Sequence, residues 1–260
     1  MWNVPVFLIR TVLTVRGQLM ENYYFYGNLS SWFYDIDKPF PNQKDLAFYL
    51  SYVNKDMNIL EPMCGSGRFL VSFIEKGFNI DGFDLSKEMV DRCKKKIEKL
   101  DIQYGNLLQC CDFNQFPSNK KYDYIFIPSG SFSLIIQNND IINSIKILEQ
   151  LSTQNGKVLI ELLINEDIGK IIVSDVYSQD RVAKQGNFEI ALSYKTIGIN
   201  EDENIEYSMF KYELYEKGNY IKEEEEKFNV KYYKPNEFEN YLENTSFKIK
   251  NKYMDQKRKK

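Results

Sequence analysis

An α/β fold with a doubly wound, mostly parallel sheet is predicted for this 260-residue chain by three features. Short apolar runs alternate with helix-period segments between residues 59 and 163. Several of these runs close on an acid or a small polar turn, and a glycine turn joins the first of them to a helix. From about residue 167 the texture changes to longer stretches rich in Tyr, Phe, Ile and Val. These read as an antiparallel β meander inserted after the fifth strand.

Residues 1–15 are apolar, but Arg10 interrupts them and neither a basic n-region nor a small-residue cleavage site is present, so a signal peptide is not expected. Met20 is an alternative start, and codons for Arg16-Gly17 fit a purine-rich run just upstream of it. Residues 1–19 are therefore read as a translated leader, with an apolar strand or helix docked on the domain as the alternative. Tyr23-Tyr24-Phe25-Tyr26 and Trp32-Phe33-Tyr34-Asp35 then form an aromatic segment ahead of a helix over 43–53.

The stretch Ile59-Leu60-Glu61-Pro62-Met63-Cys64-Gly65-Ser66-Gly67-Arg68-Phe69-Leu70 is the most informative: an apolar strand, an acid at its end, a glycine turn and a helix. Gly65 and Gly67 drop the side chain where backbone approaches a ligand, and the helix offers unpaired N–H groups at its first turn. A dinucleotide would bring a pyrophosphate beside Glu61, which repels it, and Leu70 stands where the third glycine of G-x-G-x-x-G belongs. A phosphate-free cofactor with cationic groups, S-adenosyl-L-methionine, fits this turn better than NAD or FAD.

A second strand over 79–84 ends in Gly82-Phe83-Asp84-Leu85-Ser86. Asp84 lies about 20 residues beyond the glycines, where a ribose diol accepts a carboxylate partner. Ser86 caps a helix over 86–100 that turns Met89, Val90, Cys93, Ile97 and Leu100 inward and Lys94, Lys95 and Lys96 outward as a solvated run. A third strand over 107–111 ends in Asp112-Phe113, an acceptor for an adenine amino group beside a ring that stacks on the base, although Asp112 also suits an ordinary turn before Pro117. The fourth, over 124–127, runs into Pro128-Ser129-Gly130-Ser131-Phe132, where ligands sit in open α/β sheets.

A helix over 140–151, stopped by Gly156, leads to a fifth strand over 157–163. The meander follows as strands over 188–197, 205–215 and 220–233, with Glu223, Glu224, Glu225 and Glu226 read as an exposed charged edge. Lys234-Pro235 starts a short helix to about 242, and 247–253 reads as a sixth strand.

With Glu61, Gly65 and Gly67, then Asp84, then Asp112 and Phe113 falling in order at strand ends, the chain resembles the class I S-adenosylmethionine-dependent methyltransferases. It is similar in particular to the small-molecule branch that includes glycine/sarcosine and aminosugar N-methyltransferases, over about 22–253. The resemblance implies a Rossmann-like sheet in which Glu61, Gly65 and Gly67 form the first cofactor motif, Asp84 binds the ribose, and Asp112 with Phe113 holds the adenine. It implies an aromatic segment folded over the cofactor, from which Tyr34 is the best single candidate. Leu85 and Ser129 are counted with the cofactor contacts, while Ser129, Ser131 and Tyr34 are equally suited to orient an acceptor. The implied organisation is a cofactor domain of 20–166 and 234–254, with 167–233 capping the acceptor and also able to pair subunits as a homodimer. One departure stands out: the family's final antiparallel strand has only 254–260 to draw on, a short charged remnant. Residues 4–13 are the spare apolar piece that could cover that sheet edge.

Composition narrows the function. With 43% hydrophobic and 15% aromatic residues the chain can bury a full core. A net charge of −3 and a pI of about 5.4 supply no positive field for nucleic acid, and Lys257-Arg258-Lys259-Lys260 reads as a solvated tail. Four cysteines without C-x-x-C spacing and no histidine indicate neither a metal site nor a disulfide framework, so reduced thiols in a cytoplasmic protein are expected. No stretch is long and apolar enough to span a membrane. Without histidine, proton removal falls to Tyr, Asp, Glu or water, which suits methylation of a small amine better than of an unactivated alcohol, and no catalytic base is assigned. The other readings are a noncatalytic S-adenosylmethionine-binding module, a methyltransferase for RNA or protein, and, last, a dehydrogenase.

Overall fold

The computed structural model describes residues 9–15, 18–24, 26–100, 105–117 and 119–253. At its start β1 (Ile9–Val15) and β2 (Gln18–Tyr24) pair antiparallel as a separate two-stranded sheet. The rest of the leader reading, residues 1–8 and 16–17, lies outside the described residues, as does the basic tail. Within 9–13 the chain is paired with β2 and does not cover an edge of the main sheet.

Two helices follow, α1 (Asn28–Asp37) and α2 (Gln43–Leu50). The second half of the aromatic segment, Trp32 to Asp35, was not read as helical, yet it lies in α1, because Leu29, Ser30, Ser31 and Phe33 bury one face while Tyr34 and Trp32 turn to its flanks; Tyr23 and Tyr24 belong to β2. The central sheet is built from β3 (Ile59–Pro62), β4 (Ile80–Asp84), β5 (Leu108–Cys110), β6 (Tyr122–Ile127) and β7 (Ser152–Ile160), in the spatial order β5-β4-β3-β6-β7 and parallel throughout. The crossovers carry α3 (Arg68–Glu75), α4 (Lys87–Glu98) and α5 (Asn138–Leu151).

Alternation along β3 and β6 feeds two cores, as a sheet covered on both faces requires. Ile59, Tyr124 and Phe126 pack with α2, α3 and α4, whereas Leu60, Ile125 and Ile127 pack with α5 and Phe132. Phe73 of α3 stacks on Phe126 with ring centroids 5.0 Å apart, and full burial of such a side chain contributes roughly 1.5–3 kcal/mol. Ser86 caps α4 as expected, its hydroxyl accepting from the Met89 N–H.

Several expected boundaries move. Helix α5 ends at Leu151, and Gly156 sits within β7, where an added Cβ would lie 3.0 Å from the carbonyl oxygens of Thr153 and Tyr122. The helix after Pro235 shrinks to α6 (Glu237–Asn240). No sixth strand forms over 247–253: the alternation of Phe247, Ile249 and Tyr253 suggested one, but Ile249 and Tyr253 are exposed and the lysines between them leave no face to bury.

The antiparallel sheet has four strands where three were expected: β8 (Ser178–Gln185), β9 (Phe188–Asn200), β10 (Ile205–Glu216) and β11 (Asn219–Lys231), in the order β11-β10-β9-β8. Strand β8 escaped because its sequence is polar and only Ala183 of it is buried. Phe210, Tyr212, Phe228 and Val230 turn inward from this sheet against α1, where the Phe33 and Tyr212 rings meet at 5.6 Å.

The glutamate run of β11 is not simply a solvated edge. Glu226 is 1% exposed, and its Oε1 accepts the Gly27 N–H at 2.8 Å and the Ser30 hydroxyl, while Glu224 accepts the Leu29 N–H at 2.8 Å. The two carboxylates thus cap α1 from a strand nearly 200 residues away, favourably placed against the helix dipole. Glycine at 27 leaves them room, since a Cβ there would lie 3.1 Å from both. Burial pushes the Glu226 carboxyl up to about 7 despite these hydrogen bonds, with Glu224 and Glu88 adding like charge. A raised carboxyl pKa means the folded chain keeps a proton that the unfolded chain has released. Stability from this group is therefore full at acid pH and falls as pH rises from about 4.5 to 7. Glu226→Gln is expected to match the parent at pH 5 and to exceed it at pH 8, by on the order of 2 kcal/mol, in urea unfolding.

Candidate functional site

The carboxyl ends of β3, β4 and β6 converge below α1 around a narrow cleft that is partly open to solvent. It lies where the strand order reverses direction, the usual ligand position in such sheets. Its walls gather Tyr34, Glu61, Gly65, Asp84, Ser129 and Ser131 from the expected residues. Gly67, Leu85, Asp112 and Phe113 are not part of these walls.

Each wall residue has a local cause. Glu61, 2% exposed, sits inside β3, and its Oε2 is buried without a hydrogen-bond partner. Burial holds its carboxyl well above the ordinary range, and Arg68 opposes that rise. Gly65 has φ +56°, an added Cβ there would touch only the Met89 Sδ, at 4.0 Å, and its N–H donates to Asp84 Oδ2 at 2.8 Å. Asp84 closes β4 and also accepts the Ser86 N–H at 2.9 Å; burial raises it to about 6, against backbone hydrogen bonds that lower it. Tyr34 stands edge-on to Tyr26 at 5.9 Å, and the Arg68 guanidinium lies 5.6 Å from the Tyr34 ring centroid.

Gly67 has a packing reason to be glycine beside the one read from its place in the turn. At φ +79° it caps α3, and a Cβ there would fall 2.3 Å from the Cys93 Sγ of α4, so the absent side chain permits close packing of α3 on α4. Gly67→Ala is expected to cost roughly 2–4 kcal/mol, from left-handed strain and overpacking together, read as a lowered urea midpoint. Asp112 Oδ1 accepts the Gln115 N–H at 3.0 Å in a turn, and Phe113 packs edge-on against Phe83 at 5.1 Å. Leu85 stands 37% exposed just beyond Asp84.

Two charged side chains at the site were missed. Arg68 donates to the Ser129 hydroxyl, faces both Tyr34 and Phe69, and keeps a buried Nε without a partner. Its position directly after Gly67 could have flagged it as the first residue of the helix over the cleft. Glu161 accepts the Ser129 N–H at 2.8 Å and the Tyr49 hydroxyl at 3.0 Å, and so props the turn in which Ser129 adopts φ +63°. It is one more acid at a strand end, hidden because the fifth strand was drawn to 163 and not to Ile160.

A glycine turn after the first parallel strand, acids at the ends of the first two and a cleft at the reversal point define a nucleoside-cofactor fold of the methyltransferase type. Residues 53–213 match the family model described as a methyltransferase domain, and the chain belongs to that family. The methyltransferase-family protein YqeM of Bacillus subtilis is 23% identical over 121 residues, 46% of this chain and 48% of its own length, so the chain spans about half the length of the curated relative it matches. Among solved structures, an S-adenosylmethionine-dependent methyltransferase from Clostridium acetobutylicum superposes with a TM-score of 0.63 at 16% identity, covering 81% of this chain and 83% of that one. The sugar N-methyltransferase KedS8 from Streptoalloteichus gives 0.63 at 14% identity, covering 84% and 82%. At these identities the likeness is one of fold.

Among the described residues no helix is long and apolar enough to cross a membrane.

Proposed function

We propose that this chain transfers the methyl group of S-adenosylmethionine to a small-molecule acceptor, an amine nitrogen in the first instance, by in-line displacement. The observation that carries the reading is an acid and a guanidinium facing one cleft, each with a buried atom left unpartnered. Glu61 Oε2 and Arg68 Nε are each buried without a hydrogen-bond partner, and Asp84 lies in the same wall. A buried polar atom left alone costs about 1–3 kcal/mol, so these groups are suited to a ligand that satisfies them. The methionine end of S-adenosylmethionine carries an ammonium and a carboxylate that match Glu61 and Arg68, and its ribose diol matches Asp84. It has no phosphate to clash with either acid.

Gly65 leaves the backbone bare for the cofactor, and Tyr34 walls the cleft from above. The adenine end falls to Asp112 and Phe113 by the resemblance, with Leu85 and Ser129 as further contacts. When bound, S-adenosylmethionine supplies a methyl group already activated by its positive sulfur. The chain then contributes mainly position, which is worth roughly 7–11 kcal/mol when reactants are held in line. No histidine is needed for that, and an amine that arrives neutral loses its proton to water after transfer. The sheet of β8–β11 is suited to cap the acceptor, and the N-methylation named for the similar sugar enzyme supports a nitrogen acceptor. A net charge of −3 disfavours RNA, and a cytoplasmic setting suits thiols packed in the core such as Cys64 and Cys93.

Calorimetry with S-adenosylhomocysteine and S-adenosylmethionine, followed by incubation with methyl-tritiated S-adenosylmethionine and separate pools of aminosugars, amino acids, RNA and protein, tests the proposal. Label in an amine pool supports it. Label confined to RNA or protein overturns the acceptor, binding with no transfer to any pool favours a noncatalytic module, and absence of heat with both nucleosides overturns the whole reading.

A further inference from the structure

Lys96 belongs to a lysine run expected to be solvated, but its ammonium is turned inward between α4, α1 and the glycine turn. Its Nζ donates to Asp35 Oδ1 at 2.6 Å, to the Ser66 carbonyl oxygen at 3.0 Å and to the Ser66 hydroxyl at 3.0 Å. Three donors thus meet three acceptors. Ser66, 1% exposed, stands between Gly65 and Gly67, and Asp35 adjoins Tyr34 on α1. The other Asp35 oxygen lies 3.5 Å from Arg92 Nη1, while Arg92 Nε donates to the Ser31 hydroxyl at 3.0 Å.

We propose that Lys96 and Asp35 are positioning residues that hold the cofactor turn and the Tyr34 wall in one fixed register, so that ordering one orders the other. The inference rests on the S-adenosylmethionine reading of the cleft. The turn is pinned from two sides: Asp84 holds the Gly65 N–H from β4, and Lys96 holds the Ser66 carbonyl and hydroxyl from α4. Without Lys96, the Ser66–Gly67 peptide loses the contact that fixes its plane. Asp35 then keeps only the longer Arg92 contact, and the half of α1 that carries Tyr34 loses its tie to the turn. The opposite end of α1 keeps its own anchor on Glu224 and Glu226, so the helix remains docked while its register over the cleft loosens. The ion pair is about a quarter exposed at most, at 27% and 17%, so bulk salt screens it less than an open surface pair.

The test uses the full chain and S-adenosylhomocysteine as the probe. Lys96→Met and Asp35→Asn are each expected to weaken binding about tenfold in calorimetry, and the double variant to be no weaker than either single, as one shared contact requires. Lys96→Arg, which keeps a cation in reach of Asp35, is expected to recover part of the loss. Trp32 lies on α1 with its Nε1 donating to Gln185 at 2.9 Å, so in a Trp2→Phe background its emission reports that helix. Binding is expected to shift Trp32 emission in the parent and not in Lys96→Met at saturating ligand, a response that a purely structural role for Lys96 would leave in place. Parent binding with variants that bind within twofold of it, additive losses, or an intact Trp32 response in Lys96→Met overturns the coupling alone. Absence of binding by the parent overturns the cofactor reading and the coupling with it.

Discussion

Asp84→Ala is expected to lower affinity for S-adenosylhomocysteine by about 100-fold or more while leaving the fold intact. Two losses combine: a hydrogen bond from the ribose to a charged acceptor, worth roughly 1.5–3 kcal/mol, and the brace that Asp84 Oδ2 gives the Gly65 N–H. Stability moves little, because the buried carboxylate is itself costly: its pKa stands at about 6, above the ordinary 3.8. That direction means Asp84 favours the folded chain most at acid pH and loses the contribution as pH rises through about 6. Binding runs the other way. The ionised form is the better acceptor for a diol, so affinity of the parent is expected to climb between pH 5 and 7 with a midpoint near 6. Asp84→Asn should remove that step. Calorimetry across this range, paired with urea unfolding, checks both halves; a variant that unfolds but binds normally when folded would assign Asp84 to structure alone.

Asp81→Ala is expected to do the reverse, costing roughly 3–5 kcal/mol of stability without touching the cleft. Asp81 is 1% exposed in the middle of β4, yet it is fully used: Oδ1 accepts the Leu107 N–H at 2.8 Å, and Oδ2 accepts Lys120 Nζ at 2.8 Å and the Tyr122 hydroxyl at 2.7 Å. One carboxylate therefore joins the entries to β5 and β6 onto β4. Removing it takes an acceptor from a buried tyrosine hydroxyl and a backbone N–H, and takes from Lys120, 37% exposed, the counter-charge that Asp81 supplies. Against a total of about 5–15 kcal/mol for a domain, such a loss is severe. Tyr122→Phe, which takes away a single donor, should cost only about 1 kcal/mol. The measurement is the urea midpoint of the three proteins at one pH, and equal midpoints for Asp81→Ala and the parent would remove Asp81 from the structural framework.

The contrast between these neighbouring aspartates shows how far the sequence could be read. Asp84 was visible because it ends an apolar run at a set distance from a glycine turn, a pattern local enough to survive without coordinates. Asp81 sits inside the same run, and nothing in its neighbours names Tyr122 or Lys120 as partners. Arg68 lay in plain view within the best motif and was passed over, because its value depends on Glu61 and Tyr34 folding onto it from separate elements. Lys96 and Glu226 were read as surface charges for the same reason. Composition says that such residues belong in water, and only specific acceptors or donors across the fold make their burial tolerable.

What the sequence determined by itself is the parallel core and the class of cofactor turn. Burial on both faces writes short, mostly apolar runs closed by acids or small turns into the strands of the parallel sheet, helix caps such as Ser86 act within one turn, and an acid beside a glycine turn disfavours a pyrophosphate wherever the rest of the chain goes. What the tertiary structure decided is how that turn is braced and walled: α1 capped by Glu224 and Glu226, Lys96 bound to Ser66 and Asp35, and Gly67 packed closely on Cys93. Those contacts join residues tens to nearly 200 positions apart. Local periodicity carries no information about which distant side chain will arrive to neutralise a buried charge, and the energy of that arrangement exists only once the layers are packed.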